Sequence, residues 1–368
     1  MKKIYLGLLL LLALSASPAL AATTAPVKAP TPVVKKAWKA LAPSGYSPIN
    51  WASAPGIASF FKAPTDNGAI DFITRIYLPQ NQIGFIISTS TPIDLSANTS
   101  TSNQPETVKT LTGNDINNFP NLSFKRVSSE ASKTIDPAIK FLWDAAFFNM
   151  KSPYSDLSMA AKYTVGTSTT ITSGSRSVPD MALPRRMLVI NNQTGTAMIK
   201  DFDSAIFLDS KNGDQAIEGF SPAVAKSDGP SGAASRLFLG IATSSQELVV
   251  YCSQAATVKE ASEALVLAGV PVDRQLEADG GGSASCGYNL PGQFFVEPTR
   301  SLPLLMGAKT IVARGKITTK DTNVRTGPGT KYPVVTKLAK DTPIKAFEEK
   351  EGWYRIGNGQ WVIKTLIK

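Results

Sequence analysis

The chain has 368 residues, of which 43% are hydrophobic and 18% are charged, and this composition is typical of a globular protein with about two domains. Its formal net charge is +10, and it contains no histidine. Without histidine the chain cannot form a Ser-His-Asp or Cys-His catalytic arrangement or a histidine-ligated zinc site. No cofactor and no metal site is predicted. A divalent cation bound by oxygen ligands stays open as an alternative, although no Asp-rich loop of calcium-binding spacing occurs.

The N-terminus has the three parts of a secretory signal peptide. Met1-Lys-Lys is positively charged, an apolar run extends from Ile4 to Leu14, and Ala19-Leu-Ala21 forms a small-residue cleavage site. A membrane anchor is the alternative, but the apolar run is short for a bilayer and no later segment is apolar enough to cross one. We therefore expect residues 1–21 to be removed. The mature protein is predicted to be exported to the periplasm, the cell wall or the extracellular space, with no integral membrane segment.

The next part of the chain changes from a linker to strands. Residues 22–48 are rich in Ala, Pro, Thr and Lys, which predicts an extended, solvated linker. Residues 69–77 and 82–88 alternate or run apolar, which indicates two strands joined by a turn. The Ser/Thr/Asn-rich residues 88–114 predict a long surface loop. Globular structure is therefore expected to begin near residue 49.

Residues 247–278 have the pattern of a strand, a helix and a second strand. Thr257 and Glu260 form a Thr-x-x-Glu capping box at the start of the helix, and Gly269 stands where a C-terminal cap is expected. Apolar residues with helical spacing are Ala261, Ala264, Leu265 and Ala268. This order predicts that the larger domain has an α/β (mixed α+β) fold. A ligand site is then expected at the carboxyl end of the second strand.

An acidic residue followed by three glycines ends the second predicted strand. Asp279 precedes Gly280, Gly281 and Gly282, and Ser283 follows them. Successive glycines are costly to order, so a positive φ angle or the close approach of another group is expected there. One interpretation is a nest of backbone amides that holds an anionic oxygen, and the alternative is a tight turn capped by the Asp.

Four segments of the chain carry a family resemblance. They are Trp143-Asp-Ala-Ala-Phe-Phe148, Glu218-Gly-Phe-Ser-Pro222, Ser235-Arg-Leu-Phe-Leu-Gly-Ile241 and Leu276-Glu-Ala-Asp-Gly-Gly-Gly-Ser283. In this order and at these spacings they resemble the phosphodiester glycosidase family. That family includes the enzyme that uncovers mannose-6-phosphate by removing a covering N-acetylglucosamine. The resemblance is clearest from about residue 218 to residue 288. It implies a catalytic domain over residues 49–308 that hydrolyses a sugar-1-phosphodiester or a related glycosidic link in envelope polysaccharide.

The resemblance also implies roles for individual residues. Asp279 is the preferred catalytic carboxylate, and Glu277 and Asp144 are the other candidates. Because residues two apart on a strand share a face, Glu277 and Asp279 are expected to lie together. Arg236 matches the family's arginine, and its guanidinium suits bidentate phosphate recognition. The remaining predicted substrate-binding residues are Gly280, Gly281, Gly282, Ser283 and Glu218.

Three departures from the family pattern support a second hypothesis. Asp144 stands where the family usually has Asn, Ala146 where it usually has Gly, and Glu277 where an Asn commonly precedes the Asp by two residues. The alternative is therefore a non-catalytic protein that keeps the fold and binds the cell envelope or peptidoglycan.

The two cysteines flank the glycine run. Cys252 ends the first predicted strand of this region, and Cys286 lies just past the glycines. Export would place them in an oxidising compartment, where a disulfide is expected to join them. Two free buried thiols are the alternative.

The last part of the chain, residues 311–368, resembles the bacterial SH3-like repeat of cell-wall proteins. The resemblance is carried by Thr322-Asn-Val-Arg-Thr-Gly-Pro-Gly-Thr-Lys-Tyr-Pro-Val-Val335, Gly352-Trp-Tyr-Arg-Ile356 and Gly359-Gln-Trp-Val362. Short alternating strands separated by glycine turns independently predict a small all-β barrel, with Trp353, Tyr354 and Trp361 as candidate core residues. This segment carries twelve Lys/Arg and five Asp/Glu. Envelope glycans or peptidoglycan, and not nucleic acid, are the expected partners.

Overall fold

The computed structural model describes residues 38–64, 68–87, 110–111, 138–145, 160–164, 168–173, 184–203, 206, 213–222, 232–289, 294–299, 302, 304–319, 321–357 and 359–368. Trp38–Lys368 form one compact unit. The predicted signal peptide and most of the predicted linker lie outside the described residues. So does the predicted loop over 88–114, apart from residues 110 and 111.

The described elements are almost all β-strands. The larger part of the chain contains β1 (Ser47–Ala54), β2 (Ile57–Lys62), β3 (Asp71–Tyr77), β4 (Asn81–Ile87), β5 (Thr110–Leu111), β6 (Ile139–Asp144), β7 (Ala160–Thr164), β8 (Ser168–Ser173), β9 (Arg185–Asn191), β10 (Thr196–Asp201), β11 (Gln215–Phe220), β12 (Ala234–Ile241), β13 (Glu247–Ala256), α1 (Val258–Leu267), β14 (Gln275–Gly280), β15 (Cys286–Tyr288), β16 (Phe294–Val296) and β17 (Leu304–Thr310). The C-terminal part contains β18 (Ala313–Lys316), β19 (Thr322–Arg325), β20 (Val334–Leu338), β21 (Pro343–Ala346), β22 (Glu348–Lys350), β23 (Trp353–Gly357) and β24 (Gln360–Ile363).

Two antiparallel sheets form the larger part of the described structure. In the first sheet the strand order is β1-β2-β3-β13-β12-β14-β11-β7-β8-β5, and β9 pairs with both β11 and β10. In the second sheet the order is β16-β15-β6-β17-β4. The short hairpins and period-2 apolar patterns of the sequence favour antiparallel pairing of this kind.

The main hydrophobic core lies between the two sheets. Phe141 and Trp143 of the second sheet are fully buried in one cluster with Leu237 and Leu239 of the first sheet. Alternate residues of each strand enter this cluster, because successive side chains of a strand point to opposite faces of the sheet. The inner faces of both sheets are therefore apolar where they meet.

The helix α1 covers the other face of the first sheet. Its capping box is formed as predicted, since the Thr257 side chain accepts a hydrogen bond from the Glu260 N–H and the Glu260 side chain accepts one from the Thr257 N–H. The predicted apolar face is buried in a second cluster with Phe238 and Tyr251 of the sheet. The sequence-based prediction of this helix, its start and its buried face is confirmed.

The predicted α/β, mixed α+β class of the larger domain is wrong. The segment from β13 through α1 to β14 does follow the predicted order of strand, helix and strand. However, β12 lies between β13 and β14 and pairs antiparallel with both of them. Among the described residues all strand pairs in these two sheets are antiparallel. The domain is therefore mostly β, and the rule for ligand sites in open parallel sheets does not apply.

A buried carboxyl group beside α1 leads to a prediction about pH. Asp71 is 5% exposed and accepts a 2.9 Å hydrogen bond from the Tyr251 hydroxyl. Burial raises the pKa of Asp71, and hydrogen bonds from Ser253 and Tyr251 offset only part of that effect. Because the folded protein then holds its proton more tightly than the unfolded chain, this group stabilises the fold most below about pH 4, and that contribution is lost as the pH rises through the raised pKa.

Replacing Asp71 by Asn is expected to raise the melting temperature at pH 7 and to flatten its dependence on pH between about pH 4 and 7. The asparagine amide oxygen can still accept the hydrogen bond that the Tyr251 hydroxyl donates, so this contact is kept. Melting temperatures of both proteins across this range check the prediction. An equal loss of stability at every pH would contradict it.

The C-terminal strands form a small barrel-like unit of two ladders, β18-β21 and β20-β19-β24-β23-β22. Trp353 and Trp361 are each 8% exposed, which confirms them as core residues, and Tyr354 packs against the apolar cluster around Ile317. The last residue of the chain joins the unit, since Lys316 and Lys368 exchange backbone hydrogen bonds of 2.6 and 3.1 Å. Among the described residues, no helix has the length and apolar character needed to span a membrane.

Candidate functional site

The glycine run is the point where the chain passes from the first sheet to the second. β14 ends at Gly280, a short 3-10 turn covers Gly281–Ser283, and β15 then joins the second sheet. Gly281 has φ +69°, a conformation that favours glycine. The N–H of Thr299 donates a 2.9 Å hydrogen bond to the Gly282 carbonyl oxygen. The run therefore has a structural role as a crossover, in addition to any role in binding.

A buried ion pair lies directly against this turn. The Arg236 Nη1 atom is 3.0 Å from Glu277 Oε1, and the two side chains are only 3% and 2% exposed. Arg236 Nε also donates to the Ala256 carbonyl oxygen at 3.2 Å. A Cβ atom at Gly280 would lie 3.1 Å from Arg236 Nη1, so the absence of a side chain there lets the guanidinium approach the backbone. Arg236 is thus held in place beside the glycine run.

A β-bulge separates the two carboxylates of β14. In the ladder with β12, Glu277 lies opposite Phe238 and Asp279 lies opposite Leu237, so Ala278 is an extra residue. Phe238 belongs to the helix-side core and Leu237 to the core between the sheets. Opposite residues of an antiparallel pair share a face. The expectation that Glu277 and Asp279 lie on one face is therefore wrong.

Asp279 is 3% exposed and lies on the face that looks toward the second sheet. Its Oδ1 atom accepts a 2.6 Å hydrogen bond from the Gly280 N–H. One of the three glycine amides of the predicted nest is therefore engaged by the neighbouring carboxylate. Ser283 is 5% exposed and completes the turn.

Asp144 is the last residue of β6 and is fully buried. Its N–H donates a 3.1 Å hydrogen bond to the Ser285 carbonyl oxygen, which joins the end of β6 to the segment just after the glycine run. Asp144 lies opposite Leu305, whose side chain packs in a cluster outside the core between the sheets. Its side chain is therefore on a different face from that of Asp279. Ala146 lies outside the described residues.

Glu218 forms a second, partly buried ion pair on the helix-side face of the first sheet. It contacts Arg185 Nη1 and is 5% exposed. Two residues further along, Phe220 lies opposite Arg185 on β9 and opposite Glu277 on β14. The two pairs, Arg185–Glu218 and Arg236–Glu277, therefore occupy one face of neighbouring strands.

Arg185 is not among the site residues predicted from the sequence. Its position at the start of a strand, next to Arg186, is typical of solvated surface arginines. In the structure its side chain is 24% exposed, and its guanidinium carbon lies 4.6 Å from the centre of the Phe202 ring. Only the pairing of β9 with β11 brings it to Glu218.

The chemistry available here is that of arginines and carboxylates. A guanidinium group that a carboxylate holds in place can donate two hydrogen bonds to an anion such as a phosphodiester. Within the described part of the chain no three His, Cys, Asp or Glu side chains are grouped so that they could hold a metal ion.

The predicted disulfide between Cys252 and Cys286 is confirmed. The two Cα atoms are 6.4 Å apart, and the bridge joins β13 of the first sheet to β15 of the second, close to the glycine run. It therefore crosslinks the two sheets where the chain passes between them.

Replacing both cysteines by alanine is expected to lower the free energy of unfolding by about 3 to 4 kcal/mol, because the bridge closes a long loop in the unfolded chain. The sequence separation of the two cysteines is 34. Urea unfolding of the oxidised protein and of the double variant measures this difference. Two thiols that alkylate freely in native, exported protein would contradict the prediction.

Comparisons with known proteins give a family match for the C-terminal residues and similarities to solved structures, two of which are described here. Residues 320–368 match the bacterial SH3 domain family. The chain is similar to the zebrafish N-acetylglucosamine-1-phosphodiester alpha-N-acetylglucosaminidase catalytic domain auto-inhibited by its pro-peptide, with 13% identity, a TM-score of 0.42, and 73% of this chain and 87% of that chain covered. It is also similar to a hypothetical protein from Synechocystis, with 12% identity, a TM-score of 0.39, and 72% and 64% covered.

No curated protein sequence matches the chain. The family match falls on the segment that forms β19 to β24, in which Trp353 and Trp361 are buried. Such a domain fits binding to the bacterial cell wall. Residues 320–368 of this chain are a bacterial SH3 domain.

Proposed function

We propose that this chain is an exported hydrolase that cleaves a sugar-1-phosphodiester, or a related glycosidic link, in envelope polysaccharide. Its C-terminal bacterial SH3 domain keeps it at the cell wall. The disulfide agrees with an oxidising compartment, and the N-terminal signal peptide predicted from the sequence provides the route of export.

One observation carries the proposal. Three segments that resemble the phosphodiester glycosidase motifs are separated along the chain, yet they form adjacent strands of one sheet: β11 with Glu218, β12 with Arg236, and β14 with Glu277 and Asp279. The buried Arg236–Glu277 pair is formed within this group and lies next to the glycine run. A buried ion pair adds little stability compared with apolar side chains of similar volume, so this pair supports a role in binding more than a role in holding the core together.

The chemistry of the bond suits these groups. A phosphate leaving group departs readily as an anion, so the reaction needs stabilisation of negative charge on the phosphate more than a strong general acid. Arg236, with the amides of the glycine run, is assigned to the phosphate. Asp279 is assigned as the carboxylate that acts as a nucleophile or orients water, and Glu277 and Asp144 are the alternatives.

A second candidate function, a non-catalytic envelope-binding protein, is favoured by a specific observation. Glu277 is engaged by Arg236, and Asp279 and Asp144 lie on different faces of different sheets. Glycoside hydrolysis usually needs two carboxylates that flank one bond, with their carboxyl groups about 5 to 10 Å apart. A protein that has lost such a pair would bind sugar without turnover.

The test is to incubate the purified protein with a panel of sugar-1-phosphodiesters and wall fragments and to measure released reducing sugar. The matched control for each phosphodiester is the uncharged methyl glycoside of the same sugar. Turnover of a phosphodiester with little turnover of its methyl glycoside is expected. Sugar binding in calorimetry without any released reducing sugar would reject the hydrolase and favour the binding protein.

A further inference from the structure

Trp51 is the one exposed tryptophan of this chain. The structure describes all five tryptophans, and Trp51 is 55% exposed, whereas Trp143, Trp353 and Trp361 are at most 8% exposed and Trp38 is partly covered. Tryptophan usually buries most of its surface, because its side chain is large and mainly apolar. Exposure alone does not make a binding site, so the way in which the ring is held decides what it can do.

The Trp51 ring is fixed by aromatic contacts with the second sheet. Its centre lies 6.2 Å from that of Tyr288 and 5.9 Å from that of Phe295, with interplanar angles of 67° and 64°. These two residues are 4% and 8% exposed, and Phe72 stacks on Phe295 at 4.7 Å. The Tyr288 hydroxyl also donates a 2.6 Å hydrogen bond to the carbonyl oxygen of Ala52, the next residue of β1. Because the indole is already ordered, a ligand that stacks on it loses little affinity to the ordering of this side chain.

An irregularity in β1 directs this ring. In the ladder with β2, residues 49–52 stand opposite the single residue Ser59. Successive side chains of a regular strand point to opposite faces of the sheet. Here Ala52 is buried in the core between the sheets, and Trp51 packs against two residues of that same core. Bulges at sheet edges re-aim side chains in this way. The irregular pairing therefore places Trp51 at the edge of the core, with part of its ring in solvent.

The surface of β1 around the indole is small and uncharged. Its other exposed residues are Ser47, Pro48, Asn50 and Ser53, and the strand contains no Asp, Glu, Lys or Arg. Within the described part of the chain β1 is the end strand of the first sheet. Its outward N–H and C=O groups therefore have no neighbouring strand and can pair with the hydroxyl groups of a ligand.

The same features argue against a protein as the occupant. An added strand needs a regular edge, and both Pro48 and the irregular pairing of residues 49–52 disrupt this edge. A stable protein interface buries about 800 Å² on each partner. Trp51 is the one exposed large apolar residue of β1, so the strand lacks an apolar surface of that size.

A sugar ring matches this combination of groups. One face of a pyranose ring presents mainly C–H groups, which the negatively polarised face of an indole attracts, and its hydroxyl groups lie around the rim. We propose that Trp51 is the stacking platform of a binding site for a neutral oligosaccharide of pyranose units. β1 is five strands away from β14 in the order of the first sheet, about 24 Å at the usual strand spacing. The site is therefore separate from the residues assigned to hydrolysis, and it binds sugar whether or not the protein cleaves it.

The first experiment follows the tryptophan indole N–H signals of the nitrogen-15-labelled full chain by NMR. The probe is the β-1,4-linked tetramer of N-acetylglucosamine, and the signal that is missing from the spectrum of Trp51→Phe identifies Trp51. The Trp51 signal is expected to shift and to saturate as the tetramer is added, while that of the buried Trp143 stays in place. Sorbitol, which has hydroxyl groups but no ring face, should cause no shift at the same concentration of hydroxyl groups.

The second experiment is isothermal titration of variants with the same tetramer. Trp51→Leu is expected to weaken binding at least about tenfold, because it removes the flat ring, and Trp51→Phe, which keeps a smaller ring, about threefold. The matched control is Leu41→Ala, which removes another exposed apolar side chain outside β1 and should leave the affinity unchanged. Melting temperatures check that each variant is folded.

Four results would overturn the proposal. The first is a Trp51 signal that does not move at a tetramer concentration that saturates the protein. The second is an equal shift with sorbitol, which would show a solvent effect. The third is unchanged affinity in a folded Trp51→Leu variant, which would leave the ring as a cover for Tyr288 and Phe295 only. The fourth is a dimer in sedimentation that Trp51→Leu dissociates, which would make a second copy the occupant. The NMR titration uses the unaltered protein, so it decides the matter even if a variant fails to fold.

Discussion

Replacing Arg236 by methionine is expected to lower the free energy of unfolding by about 3 to 5 kcal/mol, because the change removes the cation beside a carboxylate that stays buried. The Glu277 side chain is only 2% exposed, so water cannot take over the role of the guanidinium without rearrangement of the sheet. Urea unfolding followed by circular dichroism measures the change.

A double variant separates this stability effect from any effect on binding. Arg236→Met combined with Glu277→Leu replaces the whole pair by apolar side chains, which is often neutral for stability, so most of the loss should be recovered. The matched control is Lys259→Met on the exposed pair with Glu263, whose side chains are 82% and 63% exposed, and it should change stability by less than about 0.5 kcal/mol. A loss of less than about 1 kcal/mol in the single variant would contradict the prediction.

The double variant also tests the proposed function. If Arg236 recognises the phosphate, the folded double variant should not cleave a phosphodiester that the unaltered protein cleaves. Normal turnover in a folded double variant would show that the pair is structural only.

Asp279→Asn is expected to lower turnover of a sugar-1-phosphodiester by at least about 100-fold, roughly the effect of losing one positioned catalytic group. The fold should be kept, because the asparagine side-chain oxygen can still accept the 2.6 Å hydrogen bond from the Gly280 N–H. Initial rates of reducing-sugar release and melting temperatures check the two halves of the prediction.

The matched control for this variant is Asp273→Asn, the same chemical change at an exposed position before β14. It should leave turnover unchanged. If Asp279→Asn keeps near-normal turnover on such a substrate, the assignment of Asp279 is wrong. Glu277 and Asp144 would then be replaced by their amides and tested in the same way.

Local interactions made several features predictable from the sequence. The helix α1 was predictable because Thr257 and Glu260 satisfy backbone groups within one turn and the apolar residues repeat with the helical period. The C-terminal domain was predictable because its turn residues and tryptophans recur over a short stretch of chain. The disulfide was predictable because export to an oxidising compartment favours it and because two cysteines allow only one pairing.

Contacts between distant segments decided the rest. The class of the fold changed from α/β to mostly β because β12, which precedes β13 in the chain, lies between β13 and β14 in the sheet. The faces of Glu277 and Asp279 were set by a bulge at Ala278, which exists only in the pairing with β12. Arg185 reached Glu218 only through the pairing of β9 with β11. Residue types and spacing by themselves thus determined the helix, the cysteine pair, the small barrel and the set of candidate residues. Tertiary structure decided which of these residues meet, because strand order, register and bulges are fixed by the packing of residues far apart in the chain.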